Sequence, residues 1–186
     1  MNELSLYILD IMENSVHADA KTAELIIDEA IQKNLLTIDI LDDGRGMDKD
    51  ILKRVYNPFY TTRTTRKVGL GIPLFKEQCE LCGGDLVIES TVGKGTHLVG
   101  TMKLDSVDLL PMGNIVDTIL TLAMNEMNVD IKYTHIRDGK RFIFDTREIK
   151  KVLNNVPINT PDVVIWMKEY IIEGLNNINE EEIWNH

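Results

Sequence analysis

No run of eighteen or more uninterrupted apolar residues occurs in these 186 residues, so no membrane-crossing helix is expected. The opening Met1-Asn2-Glu3 lacks the basic and apolar regions of a secretory signal, and a cytoplasmic, soluble protein is expected. Basic charge is in short supply: 20 Lys and Arg against 30 Asp and Glu leave a formal net charge of −10. Phosphate backbones are bound by basic surfaces, so nucleic acid is not expected as a partner. Cysteine is limited to the single Cys-x-x-Cys of Cys79 and Cys82, with no second pair or nearby His to complete a zinc set. Phe75, Cys79 and Cys82 share a helical face, and both thiols are read as core residues. No internal repeat is present.

A hydrophobic content of 44% suffices for one full core and a second small one, hence one or two compact domains. Residues 3–17 read as a helix and 22–28 as a strand. Leu36, Ile38 and Ile40 alternate with Thr37 and Asp39 as a second strand. Asp48 suits the cap of a short helix reaching Val55, and residues 57–68 form a Thr- and Arg-rich stretch without periodicity, expected to be mobile. A helix over about 71–82 should end at Gly83-Gly84, followed by strands near 86–91 and 96–104 around Gly93-Lys94-Gly95. Residues 105–110 read as a linker, and Pro111 as the start of an amphipathic helix to about Met127. With Asp138-Gly139 as a two-residue turn, Tyr133 and His135 share a face with Phe142 and Phe144, and Lys132 opposes Asp145. Two helices follow, opening near Asp145 and at Thr160-Pro161.

Asp10, Glu13, Asn14 and His17 recur at offsets of three and four along the first helix, either as a solvent face or as a chemical stripe. In the second case Asn14 offers a neutral oxygen to Mg²⁺ beside phosphates, and Asp10, one turn earlier, can approach a water near a γ-phosphate. Asp43-Gly44-Arg45-Gly46-Met47 follows a strand directly. It is either a plain turn or a site where Asp43 accepts the adenine amine while Gly44 and Gly46 permit close approach. The same carboxylate would face an acceptor oxygen on guanine, so ATP is expected over GTP. The stretch Asn57-Pro58-Phe59-Tyr60-Thr61-Thr62-Arg63 runs through Arg66 and Lys67 to Gly69-Leu70-Gly71, placing backbone N–H groups and cations before a helix, where phosphates bind. Its alternative is a solvated basic loop. Thr96, after Gly93-Lys94-Gly95, belongs to a hairpin turn that can also place a hydroxyl in a pocket.

Taken in order, these elements resemble the Bergerat-type nucleotide domain of the GHKL superfamily of gyrases, heat-shock chaperones, histidine kinases and MutL proteins. Ile11-Met12-Glu13-Asn14-Ser15-Val16-His17-Ala18 is similar to the N box, Asp43–Met47 to the first glycine box and Asn57–Thr62 to the F box. Gly69-Leu70-Gly71 and Gly93-Lys94-Gly95-Thr96 complete the set. From the F box onward the wording is closest to sensor histidine kinases. The resemblance implies a two-layer α/β (α+β) sandwich, with a mixed sheet on helices, over residues 1–104. Residues 105–186 carry no part of it and are read as a small α+β region serving a partner or a homodimer.

Position by position, the resemblance implies ATP with Mg²⁺ on Asn14, adenine on Asp43 beside Gly46, phosphates at Gly69 and Gly71, and a basic phosphate contact at His17. Hydrolysing members place a Glu where this chain has Asp10, which implies slow hydrolysis. None of His17, His97, His135 or His186 sits in a phosphoacceptor motif, and with the first helix so near the start no helical hairpin bearing one is expected. The expected function is a kinase-like regulator that phosphorylates an unidentified partner protein. The alternatives are an ATP-driven conformational or dimerisation switch and a non-catalytic nucleotide sensor.

Overall fold

Apolar residues at alternate positions build the sheet, because successive strand side chains point to opposite faces. In β1 (Thr22–Ala30) Ala23, Leu25 and Ile27 are wholly buried, and in β2 (Leu35–Asp42) Leu36, Ile38 and Ile40 are buried. The same parity runs through β3 (Leu86–Thr91), β4 (Gly95–Met102), β5 (Asp130–Arg137) and β6 (Lys140–Asp145). The computed structural model describes residues 2–57 and 71–179. Its six strands form one mixed sheet in the order β3-β4-β2-β1-β5-β6, with β1 and β5 parallel and every other neighbour antiparallel.

Helices α1 (Leu4–Val16), α3 (Gly71–Leu81), α4 (Ile115–Ala123) and α6 (Pro161–Asn179) cover the apolar face, giving the two-layer α+β sandwich. The opposite face carries polar pairs, among them the Lys132–Glu24 ion pair at 2.6 Å and the His97–Asp39 hydrogen bond at 2.8 Å. Two short helices, α2 (Lys49–Arg54) and α5 (Thr146–Leu153), start at carboxylate caps. Asp48 accepts from the backbone N–H of Asp50 and Ile51, and Asp145 from that of Arg147. Cys79 and Cys82 lie in the core, where burial, with Cys82 next to it, pushes the Cys79 thiol up to about 12.

The helix expected from Pro111 to about Met127 is shorter at both ends. Pro111 and Met112 stay outside it because their carbonyls accept, at 2.9 Å each, the first N–H groups of α1 at Leu4 and Ser5. Gly113 has φ +77°, and Asn114 caps α4 by accepting from Asp117 N–H. At the far end Asn125 donates to the carbonyls of Leu122 and Val129 and accepts from Val129 N–H, which turns the chain into β5.

Residues beyond 104 also extend the sheet. Strand β5 pairs with β1 from Thr22 opposite Asp130 to Glu29 opposite Arg137, and the β5–β6 hairpin has the register read from the sequence, Tyr133 opposite Phe144 and Lys132 opposite Asp145. The division drawn after Leu104 from motifs is therefore crossed by one continuous sheet. At its end lies a buried polar chain. Tyr133 O–H donates to His135 Nδ1 at 2.6 Å, His135 Nε2–H donates to Glu29 Oε1 at 2.6 Å, and Arg137 donates to Glu29 Oε2 at 3.0 Å. The His135 hydrogen bond, reinforced by Arg137 and opposed by partial burial, holds the Glu29 carboxyl below the usual carboxylate range.

A carboxyl whose folded pKa is depressed stabilises the fold above its unfolded pKa, and that contribution is lost as pH falls through the folded value. Urea melts from pH 7 down to pH 3 should show Glu29→Gln destabilised by about 1 kcal/mol at neutral pH, with a flatter acid limb than the parent. A parallel acid limb in both would remove Glu29 from the acid response. Truncation after Leu104 strips β1 of its parallel neighbour and α1 of its N-terminal acceptors, so we expect the shortened chain to lose cooperative thermal unfolding by circular dichroism. Retention of a sharp transition near the full-length midpoint would show that residues 105–186 are an appendage.

Candidate nucleotide-binding site

The face of α1 that carries Asn14 and His17 opens onto a cavity of about 450 Å³, within the range of small-molecule sites. Ile11, Ser15 and Ala18 from the same stretch line it too, together with Ile40 and Asp42 of β2, Thr96 and Leu98 of β4, and Ile51 and Val55 from α2 and its C-terminal end. Gly71 and Ile72 close it from the start of α3. The walls are mostly apolar, with Asn14, Ser15, His17, Asp42, Arg45 and Thr96 as the polar groups.

The carboxylate at the floor of this cavity is Asp42, not Asp43. Strand β2 points Leu36, Ile38, Ile40 and Asp42 to the covered face, so Asp42 is 7% exposed. Ser15 Oγ donates to its Oδ2 at 2.6 Å, and Gly44 N–H donates to Oδ1 at 2.9 Å. Asp43 has the opposite parity. Its Oδ1 accepts the backbone N–H groups of Lys21 and Thr22 at 2.7 and 2.9 Å, pinning the start of β1, and it does not line the cavity. The alternation of Leu36, Ile38 and Ile40 contained this assignment, because position 42 continues it.

The glycine loop is fixed from two sides. Arg45 N–H donates to Ala18 O at 2.7 Å, behind α1, while Gly93 N–H donates to Arg45 O at 2.8 Å and Met47 N–H to Ser90 Oγ at 2.8 Å, from the β3–β4 hairpin. Gly46 has φ +66°, and a Cβ there would run into the Thr91 carbonyl. Gly44 is needed for closeness, since a Cβ would lie 2.7 Å from Ala18 O. The Arg45–Asp19 pair at 3.4 Å is largely exposed and adds little.

Other candidates from the sequence fall differently. Asp10 lies outside the cavity lining; its carboxylate occupies the space a Cβ on Gly71 would need, beside the positive first turn of α3. His17 Nδ1–H donates to Glu13 O at 2.6 Å, which directs Nε2 toward other contacts. Thr62, Arg63, Arg66, Lys67, Gly69 and Leu70 lie outside the described residues, as does most of the stretch expected to be mobile. The sequence held no local signal for Ile51, Val55 or Ile72, which reach the cavity only through packing of α2 and α3.

Residues 2–106 match the family described as histidine kinase-, DNA gyrase B-, and HSP90-like ATPase. The chain belongs to this ATPase family. A putative sensor protein of Shewanella frigidimarina (strain NCIMB 400) is 32% identical over 98 residues, 52% of this chain and 15% of that protein. Sporulation kinase C of Bacillus subtilis (strain 168) is 33% identical over 107 residues, 56% of this chain and 25% of the kinase. The chain thus spans a quarter or less of the length of these two relatives. Among solved structures, the N-terminal domain of a DNA repair protein shares the fold with a TM-score of 0.55 and 14% identity, covering 77% of this chain and 52% of that one. That coverage exceeds the ATPase match, so the shared fold extends past residue 106.

Proposed function

We propose that this chain binds ATP with Mg²⁺ and passes the γ-phosphate to a side chain of a partner protein. The observation that carries the reading is Asp42, an acceptor-only carboxylate at the floor of an apolar-walled cavity, where a flat heterocycle with an amino donor fits and a 6-oxo group does not. Asn14 lines the same cavity and would hold Mg²⁺ with the phosphate oxygens, since Mg²⁺ takes few protein ligands beside a nucleotide. Gly46, whose missing Cβ lets the loop pack against the Thr91 carbonyl, lines the same cavity and leaves its wall there without a side chain.

Two features support transfer to a partner. The curated relatives include sporulation and sensor kinases, and the described histidines are engaged elsewhere: His17 on Glu13 O, His97 on Asp39, and His135 buried against Glu29. The placement of Asp10 at the start of α3, outside the cavity lining, agrees with slow hydrolysis, because a general base must reach the attacking water. A second reading, an ATP-dependent conformational or dimerisation switch, is favoured by a different contact. The strap between β4 and α4 accepts from two of the cavity helices, from α3 through Asp108 O and Gln78 Nε2 at 2.7 Å and from α1 through Pro111 and Met112.

Calorimetric titration should separate the two neighbouring aspartates. Asp42→Asn keeps an acceptor for Gly44 N–H but presents a donor and no charge, and ATP affinity should fall by about 1.5 to 3 kcal/mol, roughly ten- to hundred-and-fifty-fold. Asp43→Asn keeps the acceptor for Lys21 and Thr22 and should stay within roughly twofold of the parent. The reverse order would restore the adenine role to Asp43. With γ-labelled ATP and native cell extract, the purified protein should release little phosphate alone but label an acceptor, and Asn14→Ala should abolish the labelling. Brisk hydrolysis without a partner, slowed by Asp10→Asn, would instead establish the switch.

A further inference from the structure

We propose that Ser90, which does not itself line the cavity, is a positioning residue that fixes the hydrogen-bond polarity of the cavity floor and so selects a 6-amino over a 6-oxo purine; the inference rests on the nucleotide reading above. Three strands place one rung beneath the ligand space: Ser90 on β3 faces Thr96 on β4, and Thr96 faces Asp42 on β2. All three belong to the covered face of the sheet.

Ser90 Oγ has three neighbours at hydrogen-bond distance, Met47 N at 2.8 Å, Gly95 O at 3.0 Å and Thr96 Oγ1 at 2.9 Å. A hydroxyl has one hydrogen to give and two lone pairs to receive with. The Met47 amide can only donate and the Gly95 carbonyl can only accept, so the Ser90 hydrogen goes to Gly95 O. Thr96 is thereby left to donate its own hydrogen to Ser90. Its hydrogen is turned out of the cavity, and its lone pairs are turned in. On the other side of the rung the Ser15 hydrogen is taken by Asp42 Oδ2. The floor then offers acceptors alone to the exocyclic 6-substituent, which rewards an amine there and opposes a carbonyl oxygen in the same place. Sequence reading had singled out Thr96, but nothing in the order of residues says which way its hydroxyl points.

The test compares ATP with inosine triphosphate, which changes the 6-amino donor to an oxo acceptor and N1 from an acceptor to an N–H donor, by calorimetry on the full chain with Mg²⁺. The parent should favour ATP by roughly tenfold or more. Ser90→Ala frees the Thr96 hydrogen to turn into the cavity, so the ATP-to-inosine preference should narrow by roughly three- to tenfold. Ser90→Thr, which keeps the hydroxyl, should restore it. If Ser90→Ala does not fold in a thermal melt, Thr96→Val must narrow the same ratio and Thr96→Ser must keep it. Equal weakening of both nucleotides by Ser90→Ala would make Ser90 a structural pin and overturn the inference. So would a parent that binds both equally, or a Ser90→Ala preference that widens, as a Thr96 donor facing the N1 acceptor of adenine would make it. A parent that binds neither would overturn the nucleotide reading, and this inference with it.

Discussion

A carboxylate can be buried in an apolar cavity only where its oxygens find donors, and Asp42 depends on groups from three parts of the chain for that condition. Ser15 reaches it from α1, Gly44 from the following loop, and its own strand holds it against Thr96 on β4. Each of these contacts has a structural consequence. The Ser15 bond sets the rotation of α1 that brings Asn14 and His17 to the cavity. The Gly44 bond starts the tight path that the glycine loop must follow between Ala18 and the β3–β4 hairpin.

The part of the chain that carries no ATPase motif is equally tied to that arrangement. A helix exposes unpaired N–H groups at its start, and those of α1 are met by carbonyls of Pro111 and Met112. Strand β1, whose start is pinned by the Asp43–Lys21 and Asp43–Thr22 bonds behind Asp42, receives its second neighbour from β5. Residues 105–179 thus support the site through backbone hydrogen bonds and sheet pairing, without lining its cavity.

Elements set by near neighbours in the chain were legible in the sequence. The alternation of β1 and β2, the Asp48 cap, the end of α3 at Gly83-Gly84 and the hairpin register around Asp138-Gly139 all arise from periodicity or turn chemistry over a few residues. The ATPase family was legible as well, because its boxes are contiguous motifs. Asp42 could have been found by extending the strand parity two residues further, yet the glycine motif drew the reading to Asp43.

What only the tertiary structure decided depends on contacts between distant segments. The shortening of α4 follows from α1 needing the carbonyls of Pro111 and Met112, the placement of β5 from a parallel pairing of Thr22 with Asp130, and the apolar walls at Ile51 and Ile72 from α2 and α3 meeting around the cavity. The direction of the Thr96 hydroxyl is of the same kind, because hydrogen-bond polarity is settled by the full set of donors and acceptors around an atom. Local sequence fixes which face a residue takes; only the assembled fold fixes what that face meets.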